Sequence, residues 1–269
     1  TAVSLSANGN RVAIGAPRNS GGGFRSGHVR VYNLVEVNIP NGPTHEWQQL
    51  GQDINGEASE DAFGSSLSMS GDGNIIAVGA PSNSGFEFHA GHVRVYQLTG
   101  EGWSQLGQDI DGEAFNDESG SSVSLSTENG LRVAIGAPQN NGNGNDAGHT
   151  RIYEFIDEQW LQVGQDIDGE GVGDNSGRSV SLASSGNRVA IGSPWNSGNE
   201  EGSGHTRIFE FVDNVWIQVG EDIDGASPRA YSGSTVALSS EGNRVAIRSA
   251  FSPNLSLRAS ADSRLSIFE

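Results

Sequence analysis

A block of about 56 residues is repeated five times along the 269-residue chain, and this repetition constrains the fold more than any other feature. Each copy reads approximately Ser-x-Val-x-Leu-Ser, a Gly/Asn turn, Arg-Val-Ala-Ile-Gly-Ala-Pro, an Asn/Gly loop, Gly-His-Val-Arg-Val-Tyr and Trp-x-Gln-Leu-Gly-Gln-Asp-Ile-Asp-Gly-Glu. A fixed period of this length is typical of propellers and solenoids. We place the copies at approximately 1–64, 65–120, 121–177, 178–233 and 234–269, and we expect a single domain because no linker separates them.

The third copy shows the strand pattern most clearly. Its segments 122–126 and 149–155 alternate polar and apolar residues, as half-buried strands do, and the segment 132–138 ends at a proline that cannot continue a ladder. A fourth strand is expected over 160–167. Four antiparallel strands with short connections form a propeller blade. The sequence therefore predicts an all-β, five-bladed propeller whose last blade is incomplete, because the fifth copy ends at its third strand; a solenoid is the alternative.

Composition and charge limit the partners of the chain. The formal net charge is −18, and so acidic a surface repels phosphate backbones and anionic lipids. We therefore expect neither nucleic-acid binding nor membrane insertion. The chain has no cysteine, which excludes disulfides.

The phrases Val-Ala-Ile-Gly-Ala-Pro at 12–17 and 133–138 and Ile-Ala-Val-Gly-Ala-Pro at 76–81 resemble the FG-GAP repeat. Phe63-Gly64 supplies the FG pair ahead of the second copy. The resemblance covers nearly the whole chain and implies the propeller fold of integrin α-subunits and of secreted FG-GAP-like arrays in algae and bacteria. It implies calcium loops between the first and second strands as well. Here those turns are too short and too poor in carboxylates to enclose calcium, which takes six to eight oxygen ligands.

The acidic turn after the fourth strand is a better candidate for a metal site. Oxygen ligands at alternate positions suit a hard cation such as calcium. The alternative is a strand that ends in an Asp-Gly turn whose side chains bond local amides. The candidate ligands are Asp109, Asp111, Glu113 and Asp117 in the second copy, and Asp166, Asp168, Glu170 and Asp174 in the third.

Two further sets of polar residues recur with the repeat. Asparagines leave the second strand at Asn19, Asn83, Asn140 and Asn196, and the aromatic residue Trp195 beside the last of them has no aromatic counterpart in the first three copies. These residues are candidates for carbohydrate binding, although asparagine also suits loop geometry. His28, His92, His149 and His205 each follow a glycine. Copies in successive blades are expected to lie too far apart to share one ion.

The sequence contains no motif of a known catalytic type. We therefore expect a non-enzymatic, extracellular or cell-surface module that serves adhesion or assembly through protein partners or self-association. A multivalent carbohydrate-binding propeller that recognises glycans is the alternative, and an enzyme ranks third. No cofactor is expected other than calcium.

Overall fold

The structure is a computed structural model that describes residues 2–40, 42–100, 102–126, 128, 131–250 and 264–268. These residues form strands, turns and bends, with no helix among them, and so no described helix could cross a membrane. The strands make five antiparallel sheets, each built from one repeat. The predicted all-β propeller of five blades is confirmed. The assignment of 1–269 to one domain stays a prediction.

The first two sheets show the order of strands within a blade. The first three strands follow one another across the sheet, and the fourth pairs with the third together with a two-residue strand. Sheet 1 contains β1 (Val3–Leu5), β2 (Arg11–Ala16), β3 (His28–Ile39), β4 (Gly42–Gln49) and β5 (Ile54–Asn55). Sheet 2 contains β6 (Ser66–Met69), β7 (Ile75–Ala80), β8 (His92–Thr99), β9 (Gly102–Gln105) and β10 (Ile110–Asp111).

The remaining sheets follow the same plan. Sheet 3 contains β11 (Ser122–Leu125), β12 (Arg132–Ala137), β13 (His149–Ile156), β14 (Gln159–Gln162) and β15 (Ile167–Asp168). Sheet 4 contains β16 (Ser179–Leu182), β17 (Arg188–Ser193), β18 (His205–Val212), β19 (Val215–Gln218) and β20 (Ile223–Asp224). Sheet 5 has three described strands, β21 (Ser232–Leu238), β22 (Val245–Ser249) and β23 (Arg264–Phe268), as expected for an incomplete blade.

The fourth strand is not continuous as predicted. In sheet 3 it is split into β14 and β15, both of which pair with β13. Gly164 lies between them with a φ of 75°, a left-handed conformation that glycine adopts without strain. A Cβ atom there would lie 2.6 Å from Cδ1 of Trp216 in sheet 4. The break therefore makes room for the tryptophan of the next sheet.

Consecutive sheets pack face to face around separate apolar clusters, one at each of the four junctions. The first strands contact one another in chain order. In each of the first four sheets, a serine of the first strand accepts a main-chain hydrogen bond from the next sheet. The N–H of Leu125, for example, donates to Oγ of Ser68 at 2.9 Å. The Ser-x-Val-x-Leu-Ser motif thus provides both the core residues and the link between sheets.

Candidate functional site

Three clusters, each composed of a glutamate, a histidine and an aspartate, lie at three successive junctions between sheets. The glutamate comes from the turn that leaves one sheet, whereas the histidine and the aspartate belong to the next sheet. In each cluster one donor atom from every residue lies within 4.8 Å of the other two. We call them cluster 1 (Glu57, His92, Asp109), cluster 2 (Glu113, His149, Asp166) and cluster 3 (Glu170, His205, Asp222).

The repeat sequence explains how each cluster forms. The histidine is the first residue of the third strand, where the short strand of the same sheet pairs with it: His149 lies opposite Asp168. The chain then crosses to the next sheet through a glycine. At Gly112 a Cβ atom would lie 2.0 Å from the carbonyl oxygen of Ala90, so only glycine permits this close passage. The following residue, Glu113, is thereby directed to the histidine of the neighbouring sheet.

The three histidines are buried and uncharged at neutral pH. Their exposed fractions are 1% for His92, 2% for His149 and 1% for His205. Desolvation by burial is the main cause that lowers the pKa of all three, and it brings the pKa of His149 to about 4. The neutral imidazole presents Nδ1 to the carboxylates. The distance from Nδ1 of His149 to Asp166 is 3.8 Å, and that from His205 to Asp222 is 3.3 Å.

An arginine two residues after each histidine contacts the cluster. In cluster 1, Arg94 donates to both Asp109 and Glu57, and its hydrogen bond is the main cause that lowers the pKa of Asp109. In cluster 2, Arg151 lies 3.0 Å from Glu113 and donates to the main-chain oxygen of Asp111. Each cluster therefore contains two carboxylates, one guanidinium and one neutral imidazole.

This donor set fits a divalent cation. Carboxylate oxygens and a neutral imidazole nitrogen are ligands of zinc, manganese and related ions, and a site with three protein ligands leaves positions open for a substrate. The imidazole must be deprotonated to bind a metal, and burial keeps it so. Groups of residues able to hold a metal are thus present, although the structure does not identify the ion.

The structure distributes the predicted acidic ligands differently from the sequence-based grouping. Four of them lie in clusters, but the members of one turn separate, since Asp109 contacts Glu57 of the preceding sheet and Glu113 contacts the histidine of the next. Asp111 and Asp168 end the short strands opposite the histidines. Desolvation by burial raises the pKa of both carboxyl groups.

The last two acidic candidates are buried in the loop framework. Oδ2 of Asp117 accepts hydrogen bonds from the main-chain N–H of Ala114 and from Asn140, and Oδ2 of Asp174 accepts one from Asn196 at 2.9 Å. Asn140 and Asn196 are accordingly buried as well. The candidate residues Asp117, Asp174, Asn140 and Asn196 therefore brace the second-strand loop against the preceding sheet.

The other candidate ligand-binding residues have varied surroundings. Nδ2 of Asn83 donates to Glu57 of cluster 1 at 3.1 Å, whereas Asn19 bonds its own loop at Gly21. Trp195 is 53% exposed and packs at a tilt against Tyr231, with 4.7 Å between the ring centroids. Trp195 is thus an accessible aromatic surface one residue from Asn196.

Seven of the nine cluster residues were candidates from the sequence, all except Glu57 and Asp222, but they were not grouped in this way. The residues of one cluster come from two repeats, and a search confined to one turn cannot find them. The available signal was the spacing of 35 or 36 residues from glutamate to histidine and of 17 residues from histidine to aspartate, which recurs in three successive repeats.

The comparisons with known proteins support the fold. No protein-family model matches the sequence, and no curated protein matches it either. The periplasmic gluconolactonase PpgL of Pseudomonas aeruginosa is similar in structure, with a TM-score of 0.59 and 15% identity over 98% of this chain and 70% of that chain. A protein of Bacteroides uniformis assigned as a 6-phosphogluconolactonase has a TM-score of 0.57 and 11% identity over 98% and 69%.

These comparisons correct three expectations. The FG-GAP resemblance implied the right kind of fold, but membership of that family is not supported. The expectation of a non-enzymatic adhesion or assembly module is wrong, as is the carbohydrate-binding alternative, because the similar structures carry the names of hydrolytic enzymes. One fold can carry unrelated activities, and this is why the resemblance predicted the fold but not the function.

Proposed function

We propose that this protein is a hydrolase that opens the cyclic ester of an uncharged polyhydroxylated acid, with a divalent cation held at the clusters. The observation that carries the proposal is the threefold recurrence of glutamate, neutral histidine and aspartate donors within 4.8 Å. The enzyme names of the two similar propellers support the reaction class. The periplasmic origin of one of them supports a location outside the cytoplasm.

The cation would polarise the ester carbonyl as a Lewis acid. The residues of the chain supply the other requirements. Nδ1 of the histidine and the two carboxylates would hold the cation, and in clusters 2 and 3 the neighbouring arginine orients the glutamate. The carboxylates of Asp111 and Asp168 lie beside clusters 1 and 2, and their raised pKa makes them better proton acceptors than ordinary aspartates. We assign them the role of accepting the proton from the attacking water and of returning it to the ring oxygen when the bond between that oxygen and the carbonyl carbon breaks.

The donor set indicates which cation is preferred. Calcium takes oxygen ligands, whereas each cluster offers a nitrogen, which favours zinc or manganese. We therefore propose one of these ions in place of the calcium expected from the acidic turns alone.

The charge of the protein indicates the substrate. At a net charge of −18, a phosphorylated lactone is repelled, while an uncharged lactone is not. The hydrolysed product is a carboxylate, and the same charge favours its release. We further propose that the sugar ring packs against Trp195, whose exposed face lies beside the loop that Asn196 anchors to Asp174.

The test is a pH-stat assay of glucono-δ-lactone opening at neutral pH and low salt, corrected for spontaneous hydrolysis. We expect catalysis that EDTA abolishes and that zinc or manganese restores, with a lower rate on the 6-phosphate. The triple substitution His92→Gln, His149→Gln and His205→Gln should remove it. His28→Gln is the matched control, because His28 has the same repeat position and lies 3.7 Å from Asp53 but belongs to none of the three clusters.

The contribution of Trp195 is tested in the same assay. Trp195→Ala should raise KM several-fold with little change in kcat, since the ring contacts substrate and not the reacting bond. The proposed function is overturned if no lactone is opened faster than its spontaneous rate by protein saturated with either ion.

A further inference from the structure

One junction between sheets differs from the others next to its histidine. The last residue of the second strand is alanine in the first three sheets, at Ala16, Ala80 and Ala137, but it is Ser193 in the fourth. Ser193 lies directly opposite His205 in the pairing of β17 with β18. The fifth sheet has a serine there too, but Ser249 lies opposite Arg264. Among the described pairs, only Ser193 brings a hydroxyl opposite a histidine.

Ser193 and His205 share one face of the sheet. Directly opposed residues of antiparallel strands point to the same side, with their Cβ atoms about 5 Å apart. Both side chains are buried, with exposed fractions of 0% and 1%. Oγ of Ser193 and Nε2 of His205 have no hydrogen-bond partner within the described residues. The other ring nitrogen, Nδ1, lies 3.3 Å from Asp222 and 3.9 Å from Glu170.

The two nitrogens of His205 therefore have different surroundings. Nδ1 belongs to cluster 3, and Nε2 is directed into the interior. When Nδ1 binds a cation, the neutral ring carries its proton on Nε2, and a buried N–H without an acceptor is costly. When Nδ1 carries the proton, Nε2 needs a donor instead. A serine hydroxyl can serve as either acceptor or donor, whereas alanine can serve as neither.

We propose that Ser193, directly or through one bridging water, is the hydrogen-bond partner of Nε2 of His205, and that this makes cluster 3 the tightest of the three cation sites. The inference rests on the cation-binding role of the clusters in the proposed function. Removing a hydrogen-bond partner of a metal-ligating histidine lowers metal affinity by about 10- to 100-fold in known sites. Clusters 1 and 2 have Ala80 and Ala137 opposite the histidine and therefore no hydroxyl at this position.

The test is isothermal titration calorimetry with Zn²⁺ on the full chain in which only cluster 3 is intact, obtained with His92→Gln and His149→Gln. In this background Ser193→Ala should weaken Zn²⁺ binding by about 10-fold or more. The variant introduces the alanine that the first three sheets have at this position, so its fold should be preserved. Thr206→Val is the control, since it removes a buried unpartnered hydroxyl from the adjacent position of the same strand and installs the valine found at Val29 and Val93.

The reciprocal variant uses cluster 2. With His92→Gln and His205→Gln in place, Ala137→Ser should strengthen Zn²⁺ binding. Long-range ¹H–¹⁵N spectra of the cation-loaded cluster 3 chain should show His205 with its proton on Nε2. Equal Zn²⁺ affinity before and after Ser193→Ala overturns the inference, whether or not lactone is hydrolysed. Conversely, a chain that shows the serine effect but opens no lactone would overturn the proposed function alone.

Discussion

The four tryptophans of the fourth strands offer a direct test of how the sheets stabilise one another. Trp103, Trp160 and Trp216 are 3–4% exposed, whereas Trp47 in sheet 1 is 46% exposed. All four occupy the same repeat position. The same substitution to alanine therefore removes the same atoms from two different environments, buried against a preceding sheet or half exposed.

The contacts of Trp160 show what the buried position contributes. Its indole Nε1 donates to the carbonyl oxygen of Leu106 in the preceding sheet at 2.8 Å, and its main-chain N–H donates to the side chain of Gln108. Its ring packs against Phe155 with 5.2 Å between centroids. The indole thus joins two sheets by packing and by a hydrogen bond.

We expect Trp160→Ala to lower the free energy of unfolding by about 4 kcal/mol, the usual cost of truncating a buried aromatic side chain. Since about half of Trp47 is exposed, Trp47→Ala should cost no more than about 2 kcal/mol by the same scale. At roughly 2–4 °C per kcal/mol for a chain of this size, calorimetry should show Tm reduced by about 10 °C for Trp160→Ala and by no more than about half of that for Trp47→Ala. Circular dichroism of both variants at 20 °C checks that the fold is retained. Equal losses at the two positions would refute the reasoning, because they would mean that contact with a preceding sheet contributes nothing.

Three further outcomes follow from burial, close packing and ligand linkage. In the cation-free protein the pKa of His149 is about 4 when folded and near 6.5 when unfolded. The contribution of His149 to stability is therefore complete above the unfolded pKa and declines as the pH falls towards the folded pKa. Urea titrations should show about 2 kcal/mol lost by about pH 5, and a smaller loss in His149→Gln. Gly136→Ala should lower the free energy of unfolding by more than about 3 kcal/mol, because its Cβ would lie 1.9 Å from the carbonyl oxygen of Gly177. A Cβ at Gly100 would have no atom within 4 Å, so Gly100→Ala should change stability by less than about 0.5 kcal/mol. Similar Tm values for the two variants would contradict this. Zinc at 100 times its Kd should add about 2.7 kcal/mol of stability in calorimetry, and an unchanged Tm would argue against binding to the folded state.

The strands were predictable from the sequence because their signals are local. Alternating apolar residues in the segment 149–155 and the proline that ends 132–138 act within one sheet, and β13 and β12 lie where they were expected. The break between β14 and β15 was not predictable in the same way. It depends on the side chain of Trp216, which is more than 50 residues away and belongs to another sheet.

The candidate site was only partly predictable for a related reason. Asp109 and Glu113 are four residues apart, so a search along the chain treats them as ligands of one ion. The crossing of the chain at Gly112 sends Glu113 to the next sheet and leaves Asp109 behind. In a repeat protein a segment often lies next to the corresponding segment of the adjacent repeat. The ligands of one ion can therefore come from residues that are one repeat length apart in the sequence.

The arginines make the three clusters unequal even where their ligands are the same. Arg94 donates to both carboxylates of cluster 1, so a cation there must compete with a guanidinium for Asp109 and Glu57. Among the described contacts, Arg151 and Arg207 contact only the glutamate of their clusters and donate to main-chain oxygens of the preceding sheet. Asp166 and Asp222 are therefore not engaged by these arginines. Guanidinium competition therefore favours clusters 2 and 3 over cluster 1. Because Ser193 lies opposite His205, whereas Ala137 lies opposite His149, the partner of the imidazole then favours cluster 3 over cluster 2.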